Sequence, residues 1–218
     1  MANRKLYYSR LSNNARRVWI ALLEKGLDFE LVPVQLTGEQ FNPEFLALNP
    51  FHHIPVLVDD GFRVLESVAI MDYLEAKYPT PPLLPSGPQA LAKVRMIEMV
   101  QLNEMVPATF PLLRHTVGIK VDPPTLAAAH QQVQTILDFY ESQLAGDYFV
   151  GEQFTCADIM AGISIVILTM FLDVSIADFP KLQTWAERVQ MRESFQQTQP
   201  SAAEVAAAIP GIRKMLGG

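Results

Sequence analysis

Three hydroxyl side chains lie close together just before the first predicted helix: Tyr8, Ser9 and Ser12. A hydroxyl can donate a hydrogen bond to an anion, and a helix N-terminus adds favourable backbone dipoles. Together they can stabilise a thiolate, which is the nucleophilic form of a thiol. Ser12 also has the position of an ordinary helix N-cap, which needs no reactive partner. The residues alone therefore leave both a catalytic and a structural role open.

A second candidate feature is the dipeptide Glu66-Ser67 at the start of a later predicted helix. Free backbone N–H groups at a helix start attract a carboxylate, and the Ser67 hydroxyl supplies one more donor. The Glu66 carboxylate can pair with an amine. These groups suit a ligand that carries both a carboxylate and an amine, although an ordinary helix cap would read the same way.

The third feature is the Ile54-Pro55 bond. An X-Pro bond is cis at modest cost, and a cis bond would expose the N–H and C=O of Ile54 to a peptide-like ligand. The sequence alone equally allows a trans proline that opens an edge strand.

No metal site is expected. His52 and His53 are neighbours in an extended segment, so their side chains point to opposite sides and are not expected to chelate a metal. The one cysteine, Cys156, excludes an intramolecular disulfide and a Cys-based zinc cluster. A single cysteine also fits a reducing compartment.

The elements that must position these residues divide at a proline-rich segment. Residues 78–88 hold five of the 16 prolines, which disfavour helix. We therefore expect a first domain over residues 1–79, a linker over 80–88 and a second domain over 89–218.

The first domain is predicted to alternate strands and helices. The opening strand, helix and strand should form a parallel pair, and the Asp59-Asp60-Gly61 turn indicates an antiparallel hairpin. Predicted strands are Lys5–Tyr8, Phe29–Val34, Ile54–Asp59 and Phe62–Leu65, and predicted helices are Asn14–Lys25, Asn42–Leu48 and Glu66–Lys77.

The second domain is predicted to be all helix, which gives an α/β domain followed by an all-α domain. Thr155-Cys-Ala-Asp158 has the spacing of a helix capping box, with Asp in place of the usual Glu. The predicted helices are Gln89–Leu113, Pro124–Leu144, Ala157–Leu172, Pro180–Met191 and Ala202–Ala208.

Composition excludes several classes of function. Half of the 218 residues are apolar and the net charge is −6, which argues against disorder and against a nucleic-acid partner. The longest uncharged apolar stretch, Ile159–Leu172, has 14 residues, fewer than the ~20 that span a bilayer. The N-terminus has no apolar stretch of the kind found in signal peptides. We therefore expect no membrane association.

Taken in order, these segments resemble the soluble glutathione transferases. The resemblance covers most of the chain and is strongest over residues 5–79. It implies a thioredoxin-like domain followed by a helical bundle, a cytoplasmic homodimer, glutathione as co-substrate and small apolar electrophiles as second substrates. The segments that carry it are Leu6–Val18, Ala21–Glu30, Asn49–Leu57, Glu66–Leu74, Phe154–Ile159 and Pro180–Arg188.

The resemblance also implies site residues. Ser12 matches the catalytic residue of serine-type members, with Tyr8 as the alternative that matches the tyrosine-type members, and the Ile54-Pro55 bond should be cis. The implied glutathione-binding residues are His53, Ile54, Pro55, Glu66, Ser67 and Gln40. The implied electrophile-pocket residues are Arg10, Leu11, Met105, Phe110 and Arg114.

The chain departs from the family pattern at two places. His52 replaces a frequent glycine, and Asn13 stands where cysteine-type members have a thiol. Ser12-Asn-Asn14 also differs from the Ser-Ser-Cys that is typical of the maleylacetoacetate isomerases. Alternative functions are a non-catalytic protein that binds glutathione or an apolar ligand, or a glutathione-dependent peroxidase, isomerase or dehalogenase.

Overall fold

The computed structural model describes residues 3–36 and 38–217, which form two compact units. The N-terminal unit comprises Met1–Leu83 together with Glu193–Ser201. The helical unit comprises Leu84–Arg192 and Ala202–Gly218. The N-terminal unit thus includes a short segment from near the end of the chain.

The N-terminal unit is a four-stranded mixed sheet with helices, as predicted. The strands are β1 (Arg4–Tyr8), β2 (Glu30–Pro33), β3 (Val56–Asp59) and β4 (Phe62–Leu65). The strand order is β2-β1-β3-β4; β1 and β2 are parallel, whereas β3 is antiparallel to both β1 and β4. The helices are α1 (Asn13–Glu24), α2 (Pro43–Leu48) and α3 (Ser67–Lys77), and a 3₁₀ turn covers Glu39–Phe41.

Helix α1 is buried on all sides over residues 15–22. Val18, Ala21 and Leu22, which the sequence predicts on one face, are fully buried. Gly26 ends the helix with a φ of +61°, and the Leu27 N–H donates to the Leu22 carbonyl at 3.1 Å. This is the Schellman arrangement, in which glycine takes the left-handed conformation without a side-chain clash.

The helical unit confirms an all-α second domain. Its helices are α4 (Pro88–Val100), α5 (Val106–Thr116), α6 (Pro123–Gln143), α7 (Cys156–Met170) and α8 (Pro180–Gln190), and the last helix of the chain. The short helix α9 (Glu193–Thr198) belongs to the N-terminal unit, and the last helix, α10 (Ala202–Met215), follows it in the helical unit. No helix in the described ranges is long and apolar enough to cross a membrane.

The helices differ from prediction by more than two residues in three places. The single helix predicted over 89–113 is interrupted by a π-helical turn at Gln101–Met105, directly before Pro107, which cannot donate to the carbonyl of Asn103. Helix α9 was not predicted, because six residues are too few for a clear apolar period. Helix α10 continues past its predicted end at Ala208 as far as Met215, and it contains Pro210.

The predicted capping box is formed at the start of α7. The Asp158 carboxylate accepts from the Thr155 N–H at 2.9 Å and from Trp185 Nε1 at 2.9 Å. The box therefore also links α7 to α8 inside the helical unit. Burial raises the pKa of Asp158, and these hydrogen bonds act in the opposite direction.

A second buried carboxylate, Asp59, ends β3. It pairs with Arg4 (3.3 Å) and Lys77 (3.0 Å), and the hydroxyls of Tyr73 (3.0 Å) and Tyr78 (2.8 Å) donate to it. Burial alone would raise its pKa, but the hydrogen bonds from Lys77, Tyr78 and Tyr73 and the charge of Arg4 together lower it. This cluster fixes one end of the sheet.

Candidate functional site

The strand register brings the candidate residues to the other end of the sheet. Tyr7 lies opposite Val56, and Val56 lies opposite Leu65. Because β3 runs antiparallel to β1 and β4, it begins at the end where those two strands finish. The loop after β1, the residues before β3 and the residues after β4 therefore lie side by side. This arrangement places Ser12, Ile54-Pro55 and Glu66-Ser67 at one end of the sheet, the end where β1 and β4 finish and β3 begins.

Ser12 is the N-cap of α1. The Ala15 N–H donates to Ser12 Oγ at 3.3 Å, which is the long end of the hydrogen-bond range. In this bond the hydroxyl only accepts, so its own proton stays available for a second acceptor. The residue is half-buried, and the first turn of α1 contains no acidic residue. The positive end of the helix dipole is therefore not offset by a carboxylate in that turn.

Tyr8, the alternative donor, is held by packing. Its ring makes an edge contact with Trp19 at 4.9 Å between centroids, and its carbonyl accepts from the Val34 N–H at 2.8 Å. It packs against a buried cluster that comprises Ala15, Val34, Phe45, Ile54 and Val56. The same cluster contains residues from α1 and from the Ile54-Pro55 loop, so it couples the positions of these two parts of the site.

The Ile54-Pro55 peptide bond is cis, as the resemblance implied. Both residues are buried. The loop that leads to them is held by Asn49, which is 1% exposed: its Nδ2 donates to the His53 carbonyl at 2.7 Å, and its Oδ1 accepts from the Phe51 N–H at 3.0 Å. Sequence analysis missed this residue, although an Asn followed by Pro50 and a turn is a recognisable signal.

His52 adopts a φ of +50°, in the left-handed region where glycine is favoured. The backbone shape is therefore one that a glycine would adopt, although the side chain here is histidine. The His52 ring lies 4.8 Å from the Phe41 ring and 5.3 Å from the His53 ring, measured between centroids, and both histidines are exposed. Across residues 3–36 and 38–217, no group of three or more His, Cys, Asp or Glu could hold a metal ion.

Glu66 and Ser67 begin α3. Glu66 is exposed and has a φ of +68°, whereas Ser67 is buried as the first residue of the helix. Glu66 is the N-cap of α3, and its side chain does not accept a hydrogen bond from the first N–H groups of the helix. These groups and the dipole of an 11-residue helix can therefore bind a carboxylate.

Gln40 lies in the 3₁₀ turn, and its amide is bonded within its own loop. Its Oε1 accepts from the Gly38 N–H at 3.1 Å and its Nε2 donates to the Leu36 carbonyl at 3.3 Å. Among the described residues, these bonds use one of the two amide protons of Gln40.

The residues predicted to line an electrophile pocket have different surroundings within their units. In the N-terminal unit, Leu11 is exposed, and the Arg10 guanidinium stacks on Trp19 at 4.8 Å. In the helical unit, Met105 is fully buried at the end of the π-helical turn, Phe110 is exposed, and Arg114 donates to the Leu216 carbonyl.

Comparison with known proteins agrees with this geometry. Residues 6–82 match the family model described as "Glutathione S-transferase, N-terminal domain", and residues 94–193 match "Glutathione S-transferase, C-terminal domain".

Three relatives illustrate the similarity. Glutathione S-transferase 3 of Zea mays is 38% identical over 210 residues, which cover 91% of this chain and 94% of that protein. Maleylacetoacetate isomerase of Rattus norvegicus is 33% identical over 198 residues, covering 89% and 91%. A glutathione transferase homologue from Sulfitobacter, solved with bound glutathione, superposes with a TM-score of 0.77 at 28% identity, covering 90% and 97%.

Proposed function

Because the chain belongs to the glutathione S-transferase family, we propose that it transfers the thiolate of glutathione to small apolar electrophiles, with Ser12 as the residue that activates the thiol. The observation that carries the proposal is the position of the Ser12 hydroxyl. It lies half-buried at the N-terminus of α1, at the same end of the sheet as the cis-proline loop and the start of α3.

The chemistry requires that the thiol lose its proton near neutral pH. A free thiol has a pKa of ~8.5. A hydrogen bond to a charged acceptor contributes about 1.5–3 kcal/mol, and a helix N-terminus about 0.3–1 kcal/mol. At 1.36 kcal/mol per pKa unit, the two together lower the thiol pKa by about 1.5 to 3 units. The resulting pKa of about 5.5–7 makes about half or more of the bound thiol a thiolate at pH 7.

Glutathione has the functional groups that the rest of the site can bind. Its γ-glutamyl carboxylate suits the N–H groups at the start of α3 and the Ser67 hydroxyl, and its amine suits the Glu66 carboxylate. The backbone N–H and C=O of Ile54, before the cis Pro55, can pair with the cysteinyl backbone. His53 is the proposed donor to the glycyl carboxylate, with Gln40 as a second donor.

The transfer step is balanced without any further cofactor. The thiolate sulfur donates an electron pair to an electrophilic carbon, and an S–C bond forms. The displaced electrons leave with a halide-type leaving group, or form a carbanion that takes a proton from water. In the N-terminal unit, Arg10 and the exposed Leu11 are proposed contacts of an apolar electrophile, and in the helical unit Arg114 and the exposed Phe110 are proposed contacts. Met105 was expected in the same pocket, but it is fully buried, so no direct contact is proposed for it.

The test follows the ultraviolet absorbance of the thiolate while glutathione is added at neutral pH. Wild type should show the thiolate signal, Ser12→Ala should bind glutathione without it, and the matched variants Ser9→Ala and Tyr8→Phe should retain it. If Tyr8→Phe loses the signal and Ser12→Ala keeps it, Tyr8 is the donor. Binding without a thiolate signal in any of these proteins would favour a non-catalytic glutathione-binding function.

Isomerase activity is a second candidate, favoured by the 33% identity to the Rattus norvegicus maleylacetoacetate isomerase. Such a reaction would use the same thiolate, which adds reversibly to a cis double bond and leaves after rotation. Asn13 and Asn14 follow Ser12 here, in contrast to the typical Ser-Ser-Cys. The test is glutathione-dependent conversion of a maleyl-type acid to its trans isomer, with glutathione recovered unchanged.

We also propose that the protein is a cytoplasmic homodimer, as the family resemblance implies. Each unit exposes apolar side chains of the kind found at subunit interfaces: Phe51 is 60% exposed in the N-terminal unit, and Met96 and Met99 are exposed three residues apart on α4. Sedimentation of wild type and Phe51→Ser tests the proposal, which predicts twice the monomer mass for wild type.

A further inference from the structure

The segment Glu193–Ser201 contacts α1 and the turn before it inside the N-terminal unit. Arg10 donates to the carbonyls of Gln197 at 2.6 Å and Gln199 at 3.4 Å. Arg16 Nη2 donates to the side-chain oxygen of Gln199 at 2.7 Å. Two arginines that lie on either side of Ser12 in the sequence are thus held by one short segment from near the end of the chain.

Arg16 is an unusual buried cation. It is 2% exposed, its Nε has no hydrogen-bond partner, and it forms no ion pair within the described residues. A buried charge normally has an opposite charge beside it, because the loss of hydration must be offset. The partner of Arg16 is instead the neutral Gln199 amide. Burial, followed by the charge of Arg10, lowers the Arg16 pKa to about 10, so the guanidinium is still charged at neutral pH.

The neighbouring charged groups have partners elsewhere. Glu24 on α1 accepts from the Ser194 hydroxyl, and Glu193 accepts from Gln197 Nε2 at 2.7 Å. On α3, which packs against α1, Glu75 pairs with Lys25 at 2.6 Å and Asp72 is exposed. Arg17 donates to Asn14 Oδ1 at 2.7 Å. Within the described residues, none of these contacts brings a carboxylate to the Arg16 guanidinium.

The helix geometry places the Arg16 charge on the side of Ser12. The two residues are four positions apart, and side chains at this spacing lie on the same face with about 5–6 Å between their Cβ atoms. Helical side chains also lean towards the N-terminus of the helix. The positive charge of Arg16 therefore adds to the positive end of the α1 dipole, where Ser12 is the N-cap.

We propose that Arg16, held in place by Gln199, supplies a buried positive charge that stabilises the glutathione thiolate beside Ser12. Arg16 acts through the electric field and Gln199 acts as a positioning residue for Arg16, so neither needs to touch the sulfur. The inference rests on the proposed function, because it assumes a thiolate at the N-terminus of α1.

Three variants separate charge from structure. Arg16→Met removes the charge and keeps most of the aliphatic volume. Gln199→Glu keeps a hydrogen-bond acceptor for Arg16 and neutralises its charge, whereas Gln199→Met removes the acceptor and keeps the charge. Gln190→Glu, at an exposed position on α8, is the control for a change of one negative charge.

A unit charge on a side chain one helical turn from Ser12, in a partly solvated site, is expected to shift the thiol pKa by about 0.5–1 unit. Arg16→Met and Gln199→Glu should therefore both lower the thiolate-to-thiol ratio at fixed pH by about three- to tenfold. Gln199→Met should have a smaller effect, and Gln190→Glu none.

The measurement is the pH titration of thiolate absorbance with bound glutathione, together with kcat/KM against pH. At pH values below the thiol pKa, we expect Gln199→Glu to be less active than wild type. At pH values above the thiol pKa, its activity should equal that of wild type, which a purely structural defect would not produce. A wild-type titration curve in Gln199→Glu and in a folded Arg16→Met overturns the inference and leaves the Ser12 proposal intact. Absence of thiolate in wild type overturns both.

Discussion

Replacement of Asn49 by alanine tests how the cis-proline loop is held. Asn49 is 1% exposed and makes two side-chain bonds, to the His53 carbonyl at 2.7 Å and from the Phe51 N–H at 3.0 Å. Each bond contributes about 0.5–1.5 kcal/mol net, and a partner left buried without one costs about 1–3 kcal/mol. Phe51 and His53 are themselves exposed, so water can replace part of each bond. We therefore expect Asn49→Ala to lower the free energy of unfolding by about 2 kcal/mol.

For a chain of this length, 1 kcal/mol corresponds to about 2–4 °C in Tm, so the expected decrease is about 4–8 °C. Thermal unfolding followed by circular dichroism measures it. The same change should raise the KM for glutathione, because the backbone of Ile54 loses its fixed position, while kcat at saturating glutathione changes less.

Asn49→Asp shows which of the two bonds matters. The introduced carboxylate can still accept from the Phe51 N–H, but it repels the His53 carbonyl to which the amide donates. At neutral pH this variant should be less stable than Asn49→Ala. Burial disfavours the charged carboxylate and raises the pKa of the new group. Protonation restores a donor to the His53 carbonyl, so the loss of stability should decrease as the pH falls. Unchanged Tm and KM in Asn49→Ala, or identical pH profiles for the two variants, would refute this account.

Two further predictions concern stability. The lowered pKa of Asp59 means that its carboxylate stabilises the folded protein above the ordinary Asp value of 3.8, and this contribution is lost as the pH falls through the lower folded value. Wild type should therefore be more stable than Asp59→Asn at pH 7 in urea unfolding, and a difference that stays constant down to pH 2 would contradict the cluster's electrostatic role. His52→Gly removes an L-residue from a φ of +50° and should raise stability by about 1 kcal/mol, less the lost contact with the Phe41 ring. Differential scanning calorimetry measures this change, and a lower Tm than wild type would show that the ring contact outweighs the backbone strain.

Much of the fold follows from local sequence signals. The Asp59-Asp60-Gly61 turn, the Gly26 helix stop and the Thr155–Asp158 capping box all formed as predicted, because each depends on the chemistry of fewer than about six consecutive residues. The sequence likewise placed Ser12 at a helix start, and the family resemblance implied the cis Ile54-Pro55 bond.

Other features were decided only by the tertiary structure. The contact between Arg10 and Gln197 joins residues 187 positions apart, and α9 has too few residues to show a period of its own. The burial of Arg16 against the neutral Gln199 amide depends on the same distant segment, since nothing in the local sequence of α1 separates it from an exposed arginine. The sequence determined which groups could do the chemistry, because side-chain type and helix caps are local properties. Their electrostatic surroundings depended on tertiary packing, because buried charges respond to whichever distant segments exclude water from them.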